Sequence, residues 1–437
     1  MALMIGLFMG YNYNLACNFL WWIIGSVSFV GLYVLPSWAG YFCGLILAVY
    51  SMSTLIFMLD SFVANGNSPP IRSMTVFSLF FFIELLWNVW SVAYNFVPGG
   101  EVTRERSDVL IAFIMLLLGF SIWRNKTVTR NSKSAGSVRD CGPIVRTLLL
   151  MSVLTGLFGF AFRINNVKMR DPAASRPETI RAAIFTCHFG FDNRGWSNAM
   201  RAVEFLENTD ADVITLLESD TSKPFLGNND LTAVVGEKLG MYTDFGASTR
   251  DHCWGTNLLS RFPIVYSEHH LLTSPHGEIA PAIRAGLDVG GGRIVDLVVT
   301  HMGIEETPLD RKLQAEELSV ILNNSTDSAI FLGYITSKPF TRDYNKLTEK
   351  GRMKDIDTTD TDRWCEYILY RGLEKLGYAR VTHGQLSDTE LQMATFKLPP
   401  PGATSQQVAA LNDLNPVVVT DPTGIPENIK FPETYVN

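Results

Sequence analysis

The chain has 437 residues and a formal net charge of −7, but its charges are unevenly distributed. The first 59 residues contain no Asp, Glu, Lys, Arg or His; residues 1–165 carry a net charge of +4 and the remainder carries −11. The sequence therefore divides into an apolar half and an acidic half. This division excludes a wholly soluble enzyme, an intrinsically disordered chain and a protein that binds nucleic acid through a basic surface.

The first half contains five apolar stretches that predict transmembrane helices. They are Leu15–Pro36, Gly40–Leu59, Met74–Val97, Val109–Trp123 and Thr147–Phe162. A membrane-spanning helix needs roughly 20 apolar residues, with about 17 as the lower end, so the first three are long enough. The last two are shorter, but flanking arginines can extend to the lipid headgroups. We therefore predict a transmembrane region of about five helices over residues 1–165.

The basic residues of the loops predict the orientation of this region. Six of them lie between the fourth and fifth stretches, and Arg72 follows the second; five lie on the opposite face. Cytoplasmic loops carry the excess of Lys and Arg. The amino terminus is therefore predicted in the cytosol, and everything after Phe162 in the lumen of the secretory pathway or outside the cell. Overlapping N-glycosylation sequons at Asn323 and Asn324 agree with this orientation.

A polar linker, predicted over residues 166–179, leads into alternating strand and helix patterns. Strands are predicted at Ala182–Phe191, Asp212–Glu218, Gly255–Val265, Ala282–Val289, Arg293–Thr300 and Ala329–Ile335. Helices are predicted at Ser197–Asn208, with Met200, Val203, Phe205 and Leu206 buried, and at Leu309–Leu322. From Pro399 the chain is proline-rich and lacks periodicity. We therefore predict one α/β domain over residues 180–398 and a loose tail over 399–437.

Polar residues collect where the predicted strands end. They are His188 with Asp192, Glu218 with Asp220, His301 with Gly303, and Asp388. Loops at strand ends are held by a rigid sheet and often carry function. Carboxylates together with a histidine can hold a hard divalent cation and protonate the leaving group of a phosphate ester. Each residue alone has an ordinary structural explanation, but their recurrence at successive strand ends favours a functional site.

The order of these segments resembles the endonuclease/exonuclease/phosphatase superfamily. The resemblance is carried by His188-Phe-Gly, Thr215-Leu-Leu-Glu218, Trp254-Gly-Thr-Asn-Leu-Leu-Ser-Arg-Phe-Pro263, Val299-Thr-His301-Met-Gly, Arg363-Trp-Cys-Glu-Tyr-Ile-Leu-Tyr370 and Ser387-Asp388-Thr. It implies a four-layer α/β sandwich, so the predicted fold is a multi-pass helical membrane region followed by this sandwich. Members of that superfamily cleave phosphodiesters or phosphomonoesters with Mg²⁺.

Over roughly Ile180–Leu398, the chain is more densely similar to the carboxy-terminal domain of the Cwh-type cell-wall-biogenesis proteins. The similar stretches include His188-Phe-Gly-Phe-Asp-Asn-Arg-Gly-Trp196, Leu217-Glu-Ser-Asp-Thr-Ser-Lys-Pro-Phe225 and Phe331-Leu-Gly-Tyr-Ile-Thr-Ser. Those proteins remodel the lipid of glycosylphosphatidylinositol (GPI) anchors, in yeast exchanging diacylglycerol-type lipid for ceramide. The resemblance implies a membrane protein of the endoplasmic reticulum or Golgi whose partners are GPI-anchored proteins and phosphoinositol or ceramide lipids. The chain is short for that family, which predicts a shortened isoform or a divergent member.

The resemblance also assigns roles to single residues. Glu218 matches the metal-binding glutamate, and His301 matches the histidine that contacts the scissile phosphate. Asp388 matches the aspartate of a terminal Ser-Asp-His motif, but Thr389 stands where that motif has its general-base histidine.

Two further motif positions differ from the superfamily. Gly333-Tyr334-Ile335-Thr336 lacks the aspartate and asparagine of the Gly-Asp-x-Asn motif. The asparagine of the first strand is also missing, with Thr186 or Cys187 in its place. A water nucleophile therefore has no ordinary base in this chain.

Two main hypotheses follow from these departures. In the first, the chain is an enzyme with a rebuilt site that uses a lipid hydroxyl as nucleophile. Its catalytic residues are then His301, Asp388 and His188, its Mg²⁺ ligand is Glu218, and its substrate contacts are Asp192, Asp220 and His252. In the second, the domain is a non-catalytic adaptor that binds GPI intermediates and partners a separate remodelling enzyme. A free-standing sphingomyelinase-like phosphodiesterase is a weaker third hypothesis.

Overall fold

The amino-terminal half consists mainly of apolar α-helices. The computed structural model describes residues 1–13, 15–64, 70–90, 98–131, 142–166, 178–219, 229–248, 254–363, 365–381 and 385–411. The helices of this half are α1 (Ala2–Asn12), α2 (Phe19–Val34), α3 (Ser37–Ala64), α4 (Pro70–Trp90), α5 (Gly100–Thr103), α6 (Ser107–Asn131) and α7 (Gly142–Asn166). Residues 1–87 with 106–167 form one compact unit, and residues 88–105 with 168–437 form another.

The five predicted transmembrane stretches correspond to α2, α3, α4, α6 and α7, and residues 91–97 of the third stretch lie outside the described part. Among the described residues, three stretches are long and apolar enough to cross a membrane, namely Ser37–Leu59, Ser107–Arg124 and Arg146–Asn166. Helix α2, which was predicted to be long enough, has only 16 residues. Helix α1 was not among the predicted stretches, because its 11 residues are too few to span a bilayer.

Close packing of α1 on α3 depends on small residues. A Cβ atom at Gly6 or Gly10 would meet the α3 backbone at Val49 or Ser53. Glycines four residues apart lie on one face of a helix and allow two helix backbones to approach closely. Trp21 Nε1 donates a 2.8 Å hydrogen bond to Ser53 Oγ, which ties α2 to the same part of α3.

The second unit contains twelve strands in its described residues. They are β1 (Thr179–Thr186), β2 (Val213–Ser219), β3 (Tyr242–Ser248), β4 (Trp254–Ser260), β5 (Ile264–Leu271), β6 (Pro281–Asp288), β7 (Ile294–His301), β8 (Ala329–Tyr334), β9 (Lys354–Asp355), β10 (Glu366–Arg371), β11 (Glu374–Val381) and β12 (Leu391–Lys397). They form two six-stranded sheets, in the orders β11-β12-β1-β2-β4-β3 and β5-β6-β7-β8-β10-β9. Among these described strands, β1 with β2 and β7 with β8 pair in parallel, and the other neighbours pair antiparallel.

Helices cover the outer faces of both sheets. They are α8 (Ala199–Thr209) and α9 (Leu231–Leu239) on the first sheet, and α10 (Pro308–Asn323) and α11 (Arg342–Asn345) on the second. A further short helix, α12 (Ser405–Ala410), places Val408 beside Gly372, in the turn between β10 and β11. Along β1, Ile180, Ala182 and Ile184 pack between the sheets, while Ala183 and Phe185 pack against α8 and α9. This alternation is the period of a strand buried on both faces. Residues of α10 pack on the outer face of the second sheet. The predicted four-layer α/β sandwich is confirmed.

Three local predictions differ from the structure. The first strand ends at Thr186 rather than Phe191, because His188, Phe189 and Gly190 have positive φ values of 49°, 55° and 83°. The stretch Gly255–Val265 forms two strands, β4 and β5, and Pro263, which cannot donate a ladder hydrogen bond, lies between them. In α8, Met200 is 57% exposed, and Ala202 is buried instead.

The segment that lacks periodicity contains a short helix, α12. Thr404 Oγ1 accepts a hydrogen bond from the backbone N–H of Gln407, and the Gln407 side chain accepts one from the backbone of Thr404. This reciprocal capping box stabilises a helix start without any hydrophobic pattern. Residues 412–437 of the predicted tail lie outside the described residues.

Candidate functional site

Strands β2 and β7 belong to different sheets, and their carboxyl ends bring Glu218 and His301 together. His301 Nε2 lies 3.4 Å from Glu218 Oε1, and the two side chains are 12% and 20% exposed. Glu218 has a φ of +52°, a conformation uncommon for a residue with a Cβ atom. It lies where the register of β2 with β4 shifts between Leu216 and Ser219. Such irregularities commonly redirect a side chain beside a functional site.

The hydrogen bonds of His301 define where its protons lie. Nδ1 is 2.9 Å from the carbonyl oxygen of Met302. A carbonyl can only accept, so the hydrogen is assigned to Nδ1. A hydrogen bond between Nε2 and the carboxylate of Glu218 then requires one further proton between these two atoms. The pair can therefore deliver a proton to one oxygen of a bound phosphate ester and take a proton from another.

Aromatic rings hold the imidazole of His301 in place. His301 and Tyr334 are register partners across the parallel pair β7 and β8. Their rings stack with centroids 4.6 Å apart and planes 3° apart. Trp254, at the start of β4, makes an edge contact with His301 at 5.1 Å. Packing on two sides limits rotation of the ring and fixes the direction of its Nε2 atom.

Tyr334 replaces the aspartate of the superfamily motif with a neutral group. Burial raises the pKa of its phenol well above the usual value, and a hydrogen bond with Cys365 and the charges of Glu218 and Asp388 raise it further. Burial also raises the pKa of the Cys365 thiol to about 11. Both groups therefore stay protonated at neutral pH. The sequence motif indicated only that Tyr334 replaces a carboxylate, and no motif placed Cys365 in the site.

Glu366, the first residue of β10, is a buried carboxyl that sequence reasoning did not select. It is 2% exposed, and its Oε1 accepts hydrogen bonds from Thr186 N at 2.9 Å and Thr186 Oγ1 at 2.5 Å. Thr389 Oγ1 lies 3.4 Å from the same oxygen. Burial raises the pKa of Glu366 to about 8, so the neutral acid predominates at pH 7. The available signal was a carboxyl directly before the apolar run Tyr367-Ile-Leu-Tyr370.

Asp388 lies at the same end of the sandwich. Its charge raises the pKa values of Tyr334 and Cys365, which places it near both. The preceding residue, Ser387, is fully buried and donates a 2.5 Å hydrogen bond to the carbonyl of Thr186. Ser387 thus anchors the segment that precedes β12 to the end of β1, while Asp388 itself is exposed.

The loop after β1 contains two more of the predicted residues. His188 lies next to Phe189, whose ring makes an edge contact with Trp254 at 6.3 Å. The buried Nδ1 of His188 has no hydrogen-bond partner among the described residues. The carboxylate of Asp192 instead binds within its own loop.

Asp192 accepts hydrogen bonds from the backbone N–H groups of Arg194 and Trp196, both at 2.9 Å, and from Arg201 at 2.5 Å. The hydrogen bond from Arg201 lowers the pKa of Asp192. These contacts shape the loop, and the structure does not bring Asp192 to the Glu218–His301 pair. Asp220 and His252 lie outside the described residues, so their predicted roles stay predictions.

The described side chains do not form a Mg²⁺ site by themselves. No group of three or more His, Cys, Asp or Glu side chains among them could hold a metal ion. Hard cations prefer several oxygen ligands, whereas Glu218 contacts an imidazole and the nearby phenol and thiol remain protonated. The Mg²⁺ assignment stays a prediction.

Two protein-family models match the chain. The family described as "PGAP2IP, second transmembrane domain" matches residues 1–131, and "PGAP2IP, C-terminal nuclease-like domain" matches residues 177–415. The chain is also 36% identical over 441 residues to Protein cwh43 of Schizosaccharomyces pombe, with 98% of this chain and 43% of that protein covered. It therefore spans less than half the length of this relative. The resemblance to Cwh-type proteins is confirmed.

Several solved structures are similar to the second unit in fold. An endonuclease/exonuclease/phosphatase from Beutenbergia cavernae is 16% identical, with a TM-score of 0.43 and coverage of 51% of this chain and 72% of that chain. The human Nocturnin catalytic domain is 18% identical, with a TM-score of 0.40 and coverage of 53% and 100%. Sphingomyelinase C from Streptomyces griseocarneus is 18% identical, with a TM-score of 0.37 and coverage of 50% and 99%.

Proposed function

This chain belongs to the PGAP2IP family, and from that premise we propose that it remodels the lipid of GPI anchors in the lumen of the endoplasmic reticulum or Golgi. Its nuclease-like domain acts on the phosphodiester that joins inositol to the lipid. A lipid hydroxyl, such as that of a ceramide, replaces the diacylglycerol. The observation that carries this proposal is the contact between Glu218 and His301 at the ends of β2 and β7.

The pair can catalyse such a transfer with one shared proton. The attacking lipid hydroxyl forms a bond to phosphorus and gives its proton to Glu218, while the bond from phosphorus to the diacylglycerol oxygen breaks. His301 donates its Nε2 proton to that departing oxygen. Proton transfer from Glu218 to His301, whose atoms are 3.4 Å apart, then restores the starting state. Glu218 is assigned the role of base because Thr389 stands where the superfamily motif has its general-base histidine.

The proposal is tested by lipid mass spectrometry of GPI-anchored proteins from cells that lack this protein. The cells are rescued with wild type, Glu218→Ala or His301→Gln. We expect wild type to restore the remodelled lipid and both variants to fall by at least about 100-fold, the range of a lost general acid–base group. His269→Gln is the matched control, because His269 also pairs with a carboxylate, that of Asp244 at 3.0 Å, but on strands β5 and β3.

A non-catalytic adaptor is the second candidate function. Three replacements in the superfamily motifs favour it. Thr389 stands in the place of a histidine, Tyr334 in the place of an aspartate and Thr336 in the place of an asparagine. An adaptor needs the domain to fold and bind, not to transfer protons. Full rescue by both Glu218→Ala and His301→Gln, at wild-type expression, would therefore reject catalysis in this domain and support the adaptor.

A further inference from the structure

The loop that follows β8 has an unusual backbone. It runs from Thr336 to Thr341, two residues after Tyr334. Thr336 has a φ of +45° and Phe340 a φ of +64°, values that β-branched and aromatic residues rarely adopt. Arg311 holds the loop by donating to the carbonyl of Thr336 at 2.6 Å and to Ser337 Oγ at 2.9 Å. Backbone strain that is held by such contacts is often found where a ligand binds.

This loop forms one wall of a cleft of about 680 Å³, which we name the β8-loop cleft. Its other walls come from Glu305 and from the region of α10 and α11, including Arg311, Arg342 and Asp343. Small-molecule sites commonly measure roughly 300–1,000 Å³. Because Glu305 and Thr336 follow β7 and β8, the cleft lies at the same end of the domain as His301 and Tyr334.

The charges of the cleft are balanced. Arg342 pairs with Asp343 at 2.6 Å, and Lys338 pairs with Asp362 at 2.9 Å. Arg311 lies 3.6 Å from the same Asp343 carboxylate. Each cation that lines the cleft therefore has a carboxylate partner. A second phosphate would have to compete with these carboxylates, whereas a neutral ligand would not.

Two polar groups of the cleft residues are buried and unsatisfied. Thr336 is 7% exposed, and neither its Oγ1 nor the Nε of Arg311 has a hydrogen-bond partner among the described residues. A buried polar group without a partner is costly, so such groups often bind a ligand. Phe340, next to the lining residue Thr341, is 57% exposed although it is a large apolar ring.

We propose that the β8-loop cleft binds a neutral polyol, the sugar or inositol part of the headgroup whose phosphodiester meets Glu218 and His301. A hydroxyl both donates and accepts, so it can satisfy Thr336 Oγ1 and the Arg311 N–H together with the carboxylates beside them. The exposed ring of Phe340 offers an apolar surface for the C–H face of a sugar. This inference rests on the proposed function, because it names the part of the GPI headgroup that the domain recognises.

The test is isothermal titration calorimetry with the full chain in detergent micelles. The probes are glycosylated glycerophosphoinositol from deacylated GPI, glycerophosphoinositol without the glycan, and inorganic phosphate. We expect Thr336→Val, which keeps the β-branched shape but removes the hydroxyl, to weaken binding of a polyol probe about three- to tenfold. Phe340→Ala is expected to weaken it by a similar factor, about three- to tenfold.

Matched controls separate this site from general effects on folding. Thr395→Val removes another buried hydroxyl that has no partner among the described residues, on β12. Val320→Ala removes another exposed apolar side chain, on α10. Both are expected to bind the probes as wild type does.

The probes also identify the occupant. If Thr336→Val and Phe340→Ala weaken binding of only the glycosylated probe, the cleft binds the glycan. If they weaken binding of both organic probes, the cleft binds inositol. Unchanged binding in Thr336→Val and Phe340→Ala, an equal loss in the controls, or a loss seen equally with inorganic phosphate would overturn the inference. If those results accompany a loss of remodelling in His301→Gln, the proposed function stands and only the polyol subsite is rejected.

Discussion

At the residue scale, the candidate site differs from its superfamily pattern by exchanging charged groups for neutral ones. Tyr334 and Cys365 are protonated at neutral pH, and Glu366 has a pKa of about 8. Glu218 and Asp388 are the carboxylates that act on Tyr334. A less negative site repels a phosphodiester less, and it also attracts a divalent cation less strongly.

Replacing Glu366 with Gln should change how stability depends on pH. The pKa of this carboxyl is 4.5 ordinarily and about 8 in the fold. Between these values the folded state binds more protons than the unfolded state, so the free energy of unfolding falls as pH rises. Gln cannot ionise. We therefore expect wild type to lose up to about 1.4 kcal/mol more per pH unit than Glu366→Gln over this range.

Thermal unfolding of both proteins in detergent, from about pH 5 to pH 8, checks this prediction. As pH rises, the unfolding temperature of wild type should fall relative to that of Glu366→Gln. Parallel curves would mean that Glu366 ionises in the fold as it does in the unfolded chain.

Two substitutions of Tyr334 can separate the effect of its ring stacking from the effect of its hydroxyl hydrogen bond. Tyr334→Phe keeps the ring that stacks on His301 at 4.6 Å, but removes the hydroxyl that bonds Cys365. Tyr334→Ala removes both. If the ring positions His301, we expect Tyr334→Phe to keep lipid remodelling within about threefold of wild type, the effect of one neutral hydrogen bond, and Tyr334→Ala to lose most of it.

The same rescue assay and lipid mass spectrometry measure both variants. An equal loss in Tyr334→Phe and Tyr334→Ala would instead assign the role to the hydroxyl. Equal retention in both would show that stacking on His301 is not needed.

At the scale of elements, the site depends on how closely the two sheets approach. Gly246 of β3 lies against Ile283 of β6, and a Cβ atom at Gly246 would meet the Ile283 side chain. Glu218 and His301 come from opposite sheets, so their 3.4 Å contact requires the sheets to keep this spacing. The glycine therefore contributes to the site through packing.

Gly246→Ala is accordingly expected to destabilise the protein by about 1–3 kcal/mol, the usual result of overpacking a core. The loss should be smaller in an Ile283→Ala background, where space for the added methyl group exists. Thermal unfolding of the four proteins of this double-mutant cycle measures the difference. Additive losses would show that the two residues do not compete for the same space.

At the scale of the whole molecule, the orientation of the chain decides where its chemistry takes place. Within the second unit, Arg104 donates hydrogen bonds to the carbonyls of Ser274 and Pro275, the latter at 2.8 Å. Arg104 lies in the connection between α4 and α6. The basic residues of the loops predict that this connection and the α/β domain are both lumenal.

Glycosylation tests the orientation directly. Asn323 and Asn324 are exposed at the end of α10, and expression in the endoplasmic reticulum should add a glycan there. Asn323→Gln with Asn324→Gln should abolish the glycosidase-sensitive mass shift. The sequon Asn125-Lys126-Thr127 is the internal control, since it begins the basic segment predicted to be cytosolic. A glycan at Asn125, with none at Asn323 or Asn324, would reverse the proposed orientation.

Local sequence determined most of the secondary structure of this protein and two residues of its candidate site. Apolar run length predicted the helical region, and the strand and helix periods predicted most of the sandwich, because both depend on near neighbours along the chain. The motifs predicted Glu218 and His301, which lie 83 residues apart and meet at 3.4 Å. Positive φ values shortened β1, and the reciprocal cap formed α12, through backbone geometry that hydrophobic patterns do not encode.

Only the tertiary structure decided the surroundings of that pair. It stacked Tyr334 on His301, buried Glu366 beneath Thr389, kept Asp192 within its own loop, and joined Arg311 to the loop after β8. The physical reason is that burial and contact across sheets raise a pKa or satisfy a donor, and these depend on residues distant in sequence. A residue type at a strand end therefore indicates where a site lies, while its neighbours in space determine what the site can do.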